Sequence, residues 1–272
     1  METVAYIVPV CNCGYADFVD RSESFCYIKK TLEKHYSDKE WFKFIPVEQI
    51  INKNWKADYA HDAYYQFFPI FNKSWLYNCG VKIASEKFGV DSYIFADMDV
   101  FAPMDFVKLF IEWVRENEYK WAFCYNKIIY LGQESKNNLL SIGKLSILKG
   151  DRAIRIGQGG VEGGMIWFDK KFFHEIGGYN ELFFQYGAED NELVSRAKCV
   201  SGNYLSYPQT VYHLYHPVTP AKKLSSDYRI INSTLYKKIC SCPREAIKIL
   251  SGVPKGGTEP YTKHRYLFEN LK

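Results

Sequence analysis

At 272 residues and 47% apolar composition, the chain is long enough to bury one substantial core or two modest ones, and it lacks the apolar depletion of a disordered segment. A formal net charge of +4 is too small to imply nucleic acid as a partner, and none is expected. The opening apolar stretch Val4 to Val10 has no basic leader, and no later segment reaches the roughly 20 apolar residues that span a bilayer, so the expectation is an unexported, cytoplasmic protein.

In chain order, "VAYIVPV" predicts a first strand, followed by a Cys/Asn/Gly turn and a helix from Ser22 to about His35. "FKFIPV", Phe42 to Val47, predicts a second strand. Residues 69 to 88 carry Ile70, Trp75, Leu76, Cys79 and Ile83 at helical spacing, with Pro69 near the start and Gly89 as a stop. "YIFADMDV" predicts a buried strand, Asp105 to Arg115 a helix, and "MIWFDKKFFHEI" a short strand and a helix ended by Gly177 and Gly178. "YNELFFQYGAEDNELVSRAK" predicts a turn into another helix, and "VYHLYHPVTP" a strand ending at a proline. Alternating strands and helices indicate an α/β fold with a largely parallel sheet, whose ligand crevice lies beyond the carboxyl ends of the strands. Between them, residues 130 to 164 hold eight glycines without a sustained period and predict one long loop, a candidate lid.

Residues 222 to 272 carry eleven Lys/Arg against four acids, a basic extension on a slightly acidic body. The division is therefore residues 1–221 as one catalytic domain and 222–272 as a short basic helical tail. That tail reads either as a solvated helical pair packing on the body or as an attachment to an anionic membrane surface, a peripheral contact at the inner face. The eight cysteines are scattered, and the C-x-C spacings at Cys11/Cys13 and Cys240/Cys242 are not those of zinc sites, so reduced structural thiols are expected.

Three elements carry chemistry. Asp97 and Asp99 end a buried strand, whose alternation points both the same way, where unpaired carboxylates repel and call for a cation between them. Two hard oxygens suit Mg²⁺ or Mn²⁺. "GAEDNEL" places Glu189 and Asp190 in the first turn of a helix, where acids serve as caps and the helix dipole is expected to keep a would-be base ionised. "HLYHP" offers His213 or His216 as a third ligand that shifts preference toward Mn²⁺.

In this order the elements resemble a GT-A glycosyltransferase, a Rossmann-like nucleotide-diphospho-sugar transferase fold with a mixed, mainly parallel sheet flanked by helices. The resemblance is to the inverting β-1,4-galactosyltransferase and chondroitin-polymerase group with its galactosyltransferase C-terminal segment, over about residues 4 to 218. "FNKSWLYNCG" is similar to the family's F-N-R-A-x-x-x-N-x-G helix, "FADMDV" to its F-x-D-x-D strand, and "GGMIWFDKKFFHEIGGYNELFFQYGAEDNEL" to its long G-G to G-G-E-D-D-D segment.

The resemblance implies that Pro9 and Val10 at the end of the first strand, Lys73, Asp97, Gly163 and Gly164 contact a UDP-sugar. It implies further that Asp97, Asp99 and His213, with His216 as substitute, hold the metal. Asp190 would be the general base and Glu189 would position the acceptor hydroxyl. Tyr186, where the family has tryptophan, would be the platform for a glycan or lipid-linked saccharide acceptor. A hexose or N-acetylhexosamine would then be transferred with inversion. The competing readings are an inactive GT-A-like binding module and a metal-dependent phosphoesterase.

Overall fold

The computed structural model describes residues 2–12, 16–50, 64–67, 70–103, 105–156, 163–185, 187–202, 205–217, 226–257 and 259–260. A six-stranded sheet is built from β1 (Val4–Asn12), β2 (Phe42–Ile50), β3 (Tyr64–Phe67), β4 (Ser92–Ala96), β6 (Trp121–Phe123) and β9 (Met165–Asp169), in the order β3-β2-β1-β4-β9-β6. From β3 to β4 neighbouring strands are parallel, and β9 runs antiparallel to both β4 and β6. A second sheet has the order β5-β10-β7-β8, from Val100–Phe101, Thr210–His213, Lys127–Tyr130 and Arg152–Arg155. The α/β class expected from the alternating pattern is the one observed.

Strand β1 explains why its sequence is apolar throughout. Tyr6, Val8 and Val10 face one core with β4 residues Ile94 and Ala96, and with Phe25 of α1 (Ala16–Tyr36) and Phe110 and Val114 of α3 (Phe106–Glu116). Ala5 and Ile7 face the other core, with Trp75 and Leu76 of α2 (Lys73–Phe88), Phe172 and Phe173 of α5 (Lys170–Glu175), and Leu193 and Val194 of α6 (Glu189–Ser201). A strand covered by helices on both faces has no polar side to alternate with.

Helix α2 begins four residues later than its apolar pattern suggests, because Asn72 caps it by accepting from the Trp75 N–H at 2.8 Å. It ends at Gly89, in the left-handed region at φ 58°. Gly80 lets α2 lie against β1, since a Cβ there would sit 2.3 Å from Ile7 Cγ2. Overpacking of this kind costs about 1–3 kcal/mol.

The stretch 130 to 164 is not one loop. It contains α4 (Gln133–Ile142) and β8, and residues 157–162 lie outside the described residues. Gly132 and Gly143 are the ends of α4, and Gly143 is left-handed. The helix offers little apolar period because Leu139 is its one buried aliphatic residue, and the edge strand β8, "RAIR", is largely exposed. Both features hide an element from a periodicity reading.

The proposed boundary at 221/222 falls within residues 218–225, outside the described ones. The described part of the tail packs on the body. Ile239 of α7 (Ser226–Ser241) and Ala246 and Leu250 of α8 (Pro243–Ser251) bury against Leu182 and Phe183. Beyond α8, Gly256 N–H donates to Glu181 Oε1 at 2.8 Å and Trp75 Nε1–H to the Gly257 carbonyl at 3.0 Å. No disulfide forms among the described cysteines, and no described helix is long and apolar enough to cross a membrane.

Candidate active site

Strand β4 stops at Ala96, and Asp97, Met98 and Asp99 form a turn that carries the chain into β5. Backbone hydrogen bonds fix its course: Asp97 N–H donates to Gly164 O (2.9 Å), Val100 N–H to Asp97 O (3.1 Å) and Leu214 N–H to Asp99 O (2.8 Å). The expectation that both carboxylates share one face is therefore corrected. It assumed a strand through residues 97–99, whereas the turn moves the chain from the first sheet to the second and gives each carboxylate its own partners.

On the first-sheet side, Lys73 at the start of α2 reaches Asp190 Oδ2 at 2.7 Å, Glu189 Oε1 at 2.8 Å and Asp97 Oδ1 at 3.3 Å. Two tyrosines complete the group. Tyr77 donates to Asp97 Oδ1 and Tyr179 to Asp190 Oδ1, both at 3.2 Å. Their rings stack at 4.7 Å. Gly163 lies directly against the base candidate, since a Cβ there would meet Asp190 Oδ2 at 2.3 Å. The Tyr125 hydroxyl donates to the Gly163 carbonyl.

One ammonium cannot neutralise three carboxylates, and the group is largely withdrawn from solvent. Burial, reinforced by Glu189 and Asp97 against the opposing pull of Lys73, pushes the Asp190 pKa up to about 7. The same three acids raise that of Lys73 despite its burial. The expectation that the helix N-terminus keeps Asp190 ionised by lowering its pKa is thus overturned: burial and neighbouring charge outweigh the dipole. A carboxyl poised near neutrality is what general-base work requires.

These side chains are held by structure beneath them. Asn78 Nδ2 donates to the Tyr179 carbonyl (2.9 Å) and to Glu181 Oε1 (2.8 Å), and its Oδ1 accepts from Tyr179 N–H (3.2 Å). Asn72 Nδ2 donates to Glu181 O at 2.7 Å. Under α6, the fully buried Glu192 and Arg196 pair through two contacts of 2.7 Å, and Arg196 also donates to the carbonyls of Ile176 and Gly178. The helix that presents Glu189 and Asp190 is thereby locked to the end of α5. Breaking such a buried pair costs about 3–5 kcal/mol.

On the second-sheet side, Asp99, only 5% exposed, lies 3.8 Å from His213 Nε2 and 3.4 Å from His216 Nε2. One ligand atom from each of the three falls within 4.8 Å of the others. A carboxylate with two imidazoles suits a divalent transition metal such as Mn²⁺. The tautomer of His216 is fixed, because its Nδ1 lies 3.0 Å from the Pro217 carbonyl, which can only accept. The proton is therefore on Nδ1 and Nε2 keeps the lone pair, which accepts from Arg21 Nη2 at 3.1 Å; a neutral imidazole with Nδ1–H held by a carbonyl is an arrangement common to metal-binding histidines. Burial lowers the His216 pKa and favours this neutral form. The residues present fit a divalent cation. Both histidines join Asp99, so they need not be alternatives, while Asp97 faces Lys73 and Tyr77.

Of the remaining expected residues, Pro9 and Val10 are buried in β1, with Val10 wholly within the core. Gly164 meets Asp97 through its carbonyl. Tyr186 lies outside the described residues. Three participants have no place in the motif reading: Tyr77, Tyr179 and Arg21, whose Nε is 3.6 Å from Asp99 Oδ2. Tyr77 had a signal, since it follows Lys73 by four on a helix and so shares its face.

Residues 153–217, from β8 through β10 and including Gly163, Asp190, His213 and His216, match the model of the family described as the N-terminal domain of galactosyltransferase. Over these residues the chain is similar to that galactosyltransferase family. No curated protein matches it. Among solved structures, it is similar to the catalytic domain of Drosophila β1,4-galactosyltransferase 7 in complex with xylobiose, with 14% identity over 83% of this chain and 79% of that one and a TM-score of 0.42. A mutant of that enzyme in complex with manganese, UDP-Gal and xylobiose shows 13% identity over 83% and 80% of the two chains, again with a TM-score of 0.42.

Proposed function

We propose that this chain is a glycosyltransferase that moves a hexose or N-acetylhexosamine of the galactose, N-acetylgalactosamine or glucose type from a UDP-sugar to an acceptor hydroxyl on a glycan or lipid-linked saccharide, with inversion to a β-glycosidic bond. The observation that carries this reading is Asp190. It is a carboxyl raised toward pH 7, packed on Gly163 and sharing Lys73 with Asp97.

In this reading Asp190 Oδ2 takes the proton of the acceptor hydroxyl as its oxygen attacks the anomeric carbon. The bond from that carbon to the phosphate oxygen breaks, and its electron pair leaves with UDP. Glu189 orients the acceptor, and Tyr186 is assigned the platform beneath its sugar. Lys73 serves the diphosphate, whose negative charge offers the ammonium a partner other than Asp190. The backbone at Pro9 and Val10 receives the nucleotide, and Gly163 and Gly164 leave room for the donor sugar. Asp99, His213 and His216 would hold Mn²⁺ or Mg²⁺, and Asp97 would meet the ribose. The cation, when bound, stabilises negative charge on the leaving diphosphate.

Incubation with a panel of UDP-sugars and Mn²⁺ tests the reading. Release of UDP and a β-linked product are expected. Release of inorganic phosphate, or an α-linked product, would reject it. The basic tail belongs to the same proposal as a peripheral contact of a cytoplasmic enzyme with the inner membrane surface. Sedimentation with liposomes should then rise with acidic lipid content, and indifference to that content removes the contact.

A further inference from the structure

Arg21 of α1 occupies the donor atoms that a metal would need. Its Nη2 lies 3.1 Å from His216 Nε2 and, since that nitrogen carries the lone pair, donates to it. Its Nε lies 3.6 Å from Asp99 Oδ2 and, although buried, has no hydrogen-bond acceptor among the described residues. The guanidinium is thus bound through charge and one imidazole bond, with a donor left unsatisfied, which weakens its hold. The Arg21 side chain is 36% exposed against 5% for Asp99, so the arginine has a way out to solvent while the carboxylate stays in place. An imidazole lone pair that accepts an N–H bond is not available to a metal, and two cations cannot share one carboxylate oxygen without repulsion.

We propose that Arg21 is a built-in competitor for the divalent cation: it holds Asp99 and His216 as an assembled, charge-compensated pair, and the cation enters when the guanidinium swings off them. The inference rests on the reading of Asp99, His213 and His216 as the metal site. Arg21 then sets how much Mn²⁺ the enzyme needs, without touching the sugar or the base.

The test is Mn²⁺ titration of the full chain without nucleotide, reading free Mn²⁺ by electron paramagnetic resonance, for the wild type, Arg21→Met and Asp99→Asn. If the arginine-engaged state is populated about nine times in ten, freeing the site tightens apparent Mn²⁺ binding about tenfold, and that is the expected result for Arg21→Met. Circular dichroism and thermal melting check that the variant folds, and Arg21→Gln, which keeps a polar group at this half-exposed position, replaces it if it does not. Unchanged or weaker Mn²⁺ binding in the folded variant overturns the role of Arg21. Asp99→Asn separates this failure from a deeper one. If it abolishes binding while the Arg21 variants change nothing, only the competitor fails. If Mn²⁺ binding ignores Asp99→Asn, or no protein in the set binds Mn²⁺, the metal site and the competitor fall together.

Discussion

Asp97 and Asp99 are separated by one residue, yet Asp97 shares Lys73 with Glu189 and Asp190, whereas among the described residues Asp99 is the only acid facing Arg21, His213 and His216. In the first group acids outnumber the cation three to one, and the surplus charge, added to burial, leaves Asp190 with a pKa near 7. In the second a single acid faces one permanent cation and two imidazoles: burial alone would raise the Asp99 pKa, but His213, Arg21 and His216 hold it below the usual carboxylate value. The turn where the chain crosses between sheets thus separates a half suited to moving protons from a half suited to holding a cation. The same residue type takes opposite roles because its neighbours differ.

The largest effect that probes this division belongs to Asp190. Asp190→Asn should lower the rate of UDP formation by about 10²–10⁴-fold, the worth of general-base assistance, while Mn²⁺ affinity stays unchanged because Asp190 is outside the metal group. A parallel drop in Mn²⁺ affinity would mean that the halves are not separable. The complementary break is His216→Ala. Losing even the outer hydrogen-bond partner of a metal ligand costs about 10–100-fold in affinity, so loss of the ligand should weaken Mn²⁺ by at least that much. The pH dependence of kcat/KM at saturating Mn²⁺ should remain in place. A moved acid limb would tie His216 to the proton-handling half.

Much of this division was legible in the sequence, and the part that was not has a physical cause. The strand-helix alternation, the cap-to-glycine span of α2, and the carboxylates at the edge of a buried strand all follow from patterns with a period of two or 3.6 residues. Lys73, Gly163 and Asp190 were reached by motif, although they lie far apart along the chain. The fate of Asp97 and Asp99 was not legible, because residues 97–99 continue a strand pattern while the backbone turns. Arg21 and Tyr179 left no signal, since a contact of α1 with Asp99 and His216, or between the 177–185 segment and α6, depends on packing that no local period encodes. The pKa of Asp190 was misjudged for the same reason. Position at a helix N-terminus is written in the sequence, whereas burial beside two further acids is a property of the assembled fold.

Smaller effects sharpen the proton-handling half. Tyr179→Phe removes the hydroxyl that donates to Asp190 Oδ1. A hydrogen bond to the ionised form favours it, so its loss should move the acid limb of kcat/KM upward, by about 0.5–1 pH unit for a bond worth about 1 kcal/mol. A downward shift would mean that the hydroxyl stabilises the protonated acid.

The least effect expected is on stability, and its sign is informative. Because the Asp190 pKa lies above its unfolded value of 3.8, the native state binds this proton more tightly than the unfolded chain does. The linked stabilisation is complete below the unfolded pKa and is lost as pH rises through about 7. Asparagine has no such dependence. The Tm of Asp190→Asn relative to wild type should therefore be more favourable at pH 8 than at pH 5, measured by circular dichroism. A variant that loses turnover without losing stability at pH 8 marks a residue kept for chemistry rather than for the fold. If the substitution instead lowers Tm more at pH 8 than at pH 5, the ionised carboxylate is stabilising, Lys73 outweighs burial and the neighbouring acids, and Asp190 is a structural ion-pair partner rather than a poised base.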